Sequence, residues 1–200
     1  METPLRCDDD ETLVSRILSG DQLAFEQLVE RYHGRLFRVV LGILGDFQCS
    51  EDVCQEVFVK AYLKLADFKY RSRLSTWLYR IAVNTALKMR GKLGRRREVL
   101  FETVAETPVA DGVVQEDVQA HGIEGEEVLQ KVLRPLPAHL RAVVILKERE
   151  GLTYREISEV LACTRGAVEQ RLHRAFCMLR DVWKDRGSEL GFEQDDRTDT

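Results

Sequence analysis

Apolar residues along this chain recur at intervals of three and four with few alternating runs, so the elements it predicts are helices rather than strands. A short helix is predicted over Glu11 to Leu18 on Leu13, Val14, Ile17 and Leu18; Gly20 ends it, and Asp21 caps the next. From Gln22 to Leu44 one stripe carries Phe25, Leu28, Val29, Tyr32, Leu36, Phe37, Val40 and Leu44, with Gly45 as its stop. Ser50 is the expected cap of SEDVCQEVFVKAYLKLADF, with Glu51 and Asp52 in the first turn, where the helix dipole favours negative charge. The inner face of that helix is Val53, Val57, Ala61 and Leu65, with Phe58 and Tyr62 beside it, and Asp52, Gln55, Glu56 and Lys60 point outward. Ser75 is read as the cap of a further helix that packs through Leu74, Leu78, Ile81 and Thr85 and carries Arg80, Asn84 and Lys88 on its opposite face.

The helical pattern lapses after Arg97. Residues 98–127 contain Pro108, three glycines and few aromatics, which reads as a linker. It resumes near Glu126 with a helix, a break at Pro135 and Pro137, and a second helix on Leu140, Val143, Val144 and Leu146. Gly151 interrupts again. Thr153 and Glu156 then form a capping-box signature ahead of Ile157, Val160 and Leu161. Ala162 and Cys163 make a turn, Thr164 caps a last helix, and Val168, Leu172, Ala175, Leu179 and Val182 are its inner face. A short helix, a tight turn and a longer helix are the helix-turn-helix pattern. Arg165, Glu169, Gln170, His173 and Arg174 lie on the outer face of the second helix, where such motifs meet base edges: Arg suits guanine, Gln adenine and Glu cytosine. The fold class is therefore all-α, with two small helical domains (1–97 and 128–184), a flexible acidic linker (98–127) and a disordered tail (185–200).

Charge changes that picture from two helical domains to two domains for one polyanion. The chain carries 30 Lys and Arg against 34 Asp and Glu, a net charge of −4. From Asp21 to Arg97, however, fifteen basic residues face eight acidic ones, and from Val128 to Lys184 eleven face six. Between them, Glu98 to Glu127 holds nine acids and no Lys or Arg. Within the first domain, Lys69 to Arg97 holds ten basic residues and no acid, interleaved with Tyr70, Trp77 and Tyr79. Cations for phosphates next to rings for unpaired bases suit a strand of nucleic acid; the alternative is a solvated amphipathic helix. The outward Asp52, Gln55 and Glu56 cluster reads either as plain solubility or as a docking face for a basic partner helix.

Other chemistry is poorly represented. Five cysteines, Cys7, Cys49, Cys54, Cys163 and Cys177, and four scattered histidines show no metal-ligand spacing, so free thiols and no metal or cofactor are expected. No apolar run reaches the roughly 18 residues of a membrane span, and the acidic N-terminus is no signal peptide, so a cytoplasmic location without membrane insertion is expected. An enzyme acting on DNA would need a nucleophile with a cluster of carboxylates or arginines; Tyr70, Ser72 and Ser75 lie near arginines, but no acid lies in the block to build a metal site. A stand-alone helix-turn-helix regulator explains the second domain but leaves Lys69 to Arg97 without a purpose.

Taken in order, FEQLVERYHGRLFRV, SEDVCQEVFVKAYLKLADF, STWLYRIAVNTALKMRGK and LPAHLRAVVILKEREGLTYREISEVLACTRGAVEQRLHRA resemble the extracytoplasmic-function sigma factors of bacterial RNA polymerase, over roughly Asp21 to Trp183. The resemblance implies a non-enzymatic transcription initiation factor whose partners are core RNA polymerase, promoter DNA and an anti-sigma factor. It implies that Asp52, Gln55, Glu56 and Phe58 dock on the clamp helices of the largest catalytic subunit. It implies that Lys69, Tyr70, Arg71, Ser72 and Arg73, with Leu74, form the loop that captures a flipped base of the −10 element. Trp77, Arg80, Asn84 and Lys88 would lie on the helix that supports melting. Arg165, Glu169, Gln170, His173 and Arg174 would face the −35 element. Glu169 stands where many relatives carry Lys or Arg, so this helix predicts no particular −35 sequence.

Overall fold

The structure, a computed structural model, describes residues 9–103 and 124–189, and every long element among them is helical. Helix α1 (Asp10–Leu18) starts at Asp9, whose carboxylate accepts from the Thr12 amide at 2.8 Å. Helix α2 (Gln22–Leu44) has the bounds its stripe predicts: Asp21 accepts from the Ala24 amide, and Gly45 ends it at φ 73°, a left-handed conformation that favours glycine. Helix α3 (Phe47–Lys64) begins a turn earlier than predicted. Its cap is Asp46, which accepts from the Cys49 amide at 2.6 Å; Ser50 is buried inside the helix and its hydroxyl donates to the Asp46 carbonyl. Helix α4 (Leu74–Thr103) starts at Leu74, so Ser75 lies in its first turn rather than at its cap. It continues past Arg97 to Thr103, six residues into the stretch read as linker. Residues 104–123 of that linker, and 190–200 of the stretch read as a disordered tail, lie outside the described residues; 124–127 and 185–189, read as linker and tail, are helical.

The second half begins with α5 (Glu124–Leu133), followed by α6 (Ala138–Val144), which widens into a π-turn over Ile145–Arg149. Helix α7 (Tyr154–Leu161) carries both hydrogen bonds of the capping box between Thr153 and Glu156. It ends at Ala162 with φ 48°, and Thr164 Oγ1 then accepts from the Ala167 amide at the start of α8 (Arg165–Glu189). The helix-turn-helix is thus formed by the caps the sequence carries. Val168, Leu172 and Ala175 are buried under α8 as their spacing predicts, whereas Leu179 and Val182 are only partly covered.

The two halves share a hydrophobic core. Helices α2, α3 and α4 pack on one another. Helix α6 then packs on the end of α2, and α7 packs on the start of α4. This explains burial the single stripes did not predict. Val39, Leu41, Gly42 and Ile43 join the predicted Val40 and Leu44, so that the end of α2 is buried around its whole circumference, and Tyr79, Ala82, Val83 and Ala86 widen the buried face of α4. Gly42 lets the two halves approach closely: a Cβ there would displace the tip of the Ile145 side chain.

Candidate nucleic-acid interface

The basic block is split by the fold into a loop and a helix face. Chain 68–73 connects the 3-10 turn Leu65–Asp67 to α4. Phe68 anchors it in the core at 7% exposure, with ring centroids 4.9 Å from Tyr70 and 5.4 Å from Trp77. Phe68 was not singled out from the sequence, although an aromatic just before a basic loop is a readable anchor. Lys69, Tyr70, Arg71 and Arg73 are exposed, and Ser72 is half-buried. Tyr70 holds φ 55°, a left-handed conformation that costs a non-glycine residue roughly 1–2 kcal/mol. The anchored Phe68 and the start of α4 therefore hold an exposed ring on a strained backbone.

On α4, Arg80, Asn84 and Lys88 are all exposed in one row, as their spacing predicts. Trp77 is only partly exposed and packs against Phe68, so it borders the loop rather than standing free. Tyr79 is different: it is 2% exposed, and its hydroxyl donates to the Glu150 carboxylate from the second half. Burial first, and that carboxylate second, push its phenol well above the usual tyrosine range. Tyr79 therefore presents no ring to a nucleic acid, contrary to its reading as one of the interleaved aromatics. Arg90 also does more than present charge, because its guanidinium donates to the Leu44 carbonyl at 3.0 Å and closes the end of α2.

The second candidate face is the outer side of α8. Arg165, Glu169, Gln170, His173 and Arg174 are all exposed along its first three turns. Arg165 and Glu169 pair at 3.4 Å, and Arg165 lies 5.9 Å from the centre of the Tyr154 ring. His139 is exposed beside this face; partial desolvation first, then the charges of Arg171 and Arg174, hold its imidazole below the usual range. On α3, Asp52, Gln55 and Glu56 are exposed, and Glu56 pairs with Lys60 at 2.6 Å. Phe58 does not join them: it is 7% exposed and stacks on His33 inside the first half. Exposed Val59, Tyr62 and Leu63 instead continue that face.

Cys49, Cys54, Cys163 and Cys177 are free thiols. Burial pushes Cys54 up to about 12 and Cys49 up to about 11, which keeps both protonated and unreactive. Among the described residues no group of three His, Cys, Asp or Glu side chains is placed to hold a metal, and no helix is long and apolar enough to cross a membrane.

An exposed basic loop and helix face in one half and a helix-turn-helix in the other coincide with two family models. Residues 28–96 match Sigma-70 region 2 and residues 126–176 match Sigma-70, region 4. The ECF RNA polymerase sigma-E factor of Escherichia coli strain K12 is 37% identical over 174 residues, covering 83% of this chain and 90% of that protein. The chain belongs to the extracytoplasmic-function sigma factors. The RNA polymerase sigma-H factor of Pseudomonas aeruginosa is 34% identical over 174 residues, covering 84% of this chain and 90% of that one. Among solved structures, CnrH in complex with the cytosolic domain of CnrY superposes with TM-score 0.65 at 26% identity, over 89% of this sigma factor and 99% of that chain. The sigma factor RpoE of Bartonella quintana, in complex with the anti-sigma factor NepR, shares the fold with TM-score 0.60 at 22% identity, over 80% and 96%. As a sigma factor the chain is a promoter-recognising transcription initiation factor that works with core RNA polymerase, and it is not an enzyme.

Proposed function

We propose that this sigma factor divides promoter recognition between its halves. Lys69, Tyr70, Arg71, Ser72 and Arg73 capture an unstacked base of the −10 element beside Trp77, while Arg80, Asn84 and Lys88 hold the backbone. Arg165, Glu169, Gln170, His173 and Arg174 read the −35 element. The observation that carries this reading is the exposed, left-handed Tyr70 pinned over Phe68 at the foot of an exposed Arg80–Asn84–Lys88 row. Flipping a base costs a few kcal/mol of unstacking, and stacking on a ring returns roughly 1–3 kcal/mol before phosphate contacts are added. Strand opening then needs no covalent step from this chain.

Asp52, Gln55 and Glu56 dock on core polymerase, with the neighbouring Val59, Tyr62 and Leu63 adding apolar area; Phe58 supports that face from within. An anti-sigma factor holds the free protein, a reading supported by the NepR complex of the structural neighbour. The working location is the cytoplasm, where polymerase and promoters are. The test is in vitro transcription from genomic fragments with core polymerase, with and without the chain, followed by the Tyr70→Ala variant. Discrete start sites should depend on the chain and weaken with the variant. Start sites that persist in its absence, or that ignore the variant, contradict the reading.

A further inference from the structure

One turn of α8 holds two metal-ligating side chains together. His173 and Cys177 are four residues apart, so the helix sets both on one face. Against the expectation of no metal-ligand spacing, this turn has one, His-x3-Cys. The imidazole Nε2 and the thiol sulfur lie 3.6 Å apart. A tetrahedral ion bonded at about 2.3 Å to sulfur and about 2.0 Å to nitrogen holds those two atoms about 3.5 Å apart. The helix therefore sets the two donors at the separation of one edge of such a site. His173 is exposed and Cys177 is half-buried. Arg180 donates to the same sulfur at 3.4 Å from an exposed side chain, which an arriving ion can displace. Imidazole with thiolate suits zinc, whereas magnesium and calcium take oxygen ligands. A closed zinc site has four ligands, and among the described residues no third His, Cys, Asp or Glu joins this pair.

We propose that His173 and Cys177 are half of a zinc site, and that a second copy of this chain supplies the other half. A twofold axis sets residue i of one copy against residue j of the other and the reverse, so two α8 helices crossing antiparallel bring both pairs to one point. The ligands are then two imidazoles and two thiolates, a set that closes a tetrahedral zinc site. Each thiol loses its proton to solvent as it binds and each Nε2 gives the ion its lone pair, so two protons leave per ion and the two thiolates balance its charge. Phe176, 45% exposed and one residue from Cys177, adds apolar area at the crossing. Arg174, Arg180 and Lys184 surround the pair with exposed positive charge, so two copies repel one another until the ion holds them. The pairing is thus conditional on zinc. One consequence rests on the proposed −35 role of α8: a His173 imidazole bound to zinc no longer meets a base edge.

The test uses the full reduced chain with zinc or cobalt(II) ions alone. Cobalt(II) in place of zinc shows a thiolate charge-transfer band, and analytical ultracentrifugation reads mass. The wild type should show the band at one ion per two chains, double its mass with zinc and return to the monomer with a chelator. His173→Ala and Cys177→Ala should each lose more than about tenfold in zinc affinity with helicity unchanged, since even the outer partners of metal ligands are worth that much. Cys163→Ser, at a thiol bonded to Arg171, should lose nothing, and His173→Cys, which keeps a ligand, should pair with a stronger band. No band, one ion per monomer, or a band that survives both alanine variants overturns the proposal. Zinc should also weaken anisotropy-read binding of a promoter duplex from the genomic transcription assay about tenfold in the wild type and leave Cys177→Ala unaffected, as removal of most of the binding-competent chains requires. Zinc-joined chains that bind the duplex as tightly as the monomer leave the zinc site standing and overturn His173 as a −35 reader.

Discussion

At Tyr70 the backbone and the side chain have opposing demands. Its left-handed conformation costs roughly 1–2 kcal/mol, which Tyr70→Gly relieves, but the variant gives up a ring contact with Phe68 worth roughly 0.5–1.5 kcal/mol. The two nearly offset, so thermal unfolding should shift little while promoter opening, read by permanganate reactivity of thymines near the start site, falls sharply. A variant that opens promoters normally would show that the ring is dispensable. Arg174 is the corresponding residue of the proposed −35 face. Arg174→Ala should cost about 1–3 kcal/mol and relax preference at one position if it reads a base edge; a uniform loss across promoter variants would mark a phosphate contact instead.

At the scale of elements, the capping box of α7 has a pH signature. The Thr153 main-chain amide first, then its hydroxyl and Arg73, hold the Glu156 carboxyl below the usual range. A carboxyl depressed in the folded state adds stability that is complete above its unfolded value and is lost as pH falls through the folded one. Between about pH 5 and pH 3, the melting temperature of the wild type should therefore fall more steeply than that of Glu156→Gln. Parallel curves would contradict the assignment. Elements such as α2 and α7 were legible because cap, stripe and stop agree along the chain. The start of α3 was misread because Asp46 and Ser50 are both good caps four residues apart, and only packing buries Ser50. Tyr79 was misread for a related reason. An aromatic among arginines looks alike whether it faces solvent or a carboxylate 71 residues away in the chain.

For the whole molecule, the contact between the two halves was the least legible feature. The run VVLGIL at the end of α2 signals all-round burial, but nothing local names α6 and Arg141 as its cover. The outward face of α3 was legible in Asp52, Gln55 and Glu56, whereas Phe58 sits beside an inward stripe and follows it into the core. Asp52→Lys with Glu56→Lys should weaken co-purification with core polymerase while leaving helicity unchanged, since the Glu56–Lys60 pair is open to water and contributes little to folding. Undiminished co-purification would remove the assignment. The central claim is that the loop captures a base of the −10 element and so opens DNA; Arg95, Arg96 and Arg97, cations of the same basic block suited to phosphates, serve as the comparison. Its most direct test is transcription from a template with a pre-opened mismatch bubble. Replacing residues 70–73 with small polar residues should abolish initiation on duplex promoter and be rescued by the bubble, which removes the unpairing cost. Replacing Arg95, Arg96 and Arg97 with Ala should flatten the salt dependence of binding and gain nothing from the bubble. Rescue of both variants equally, or of neither, would contradict the account.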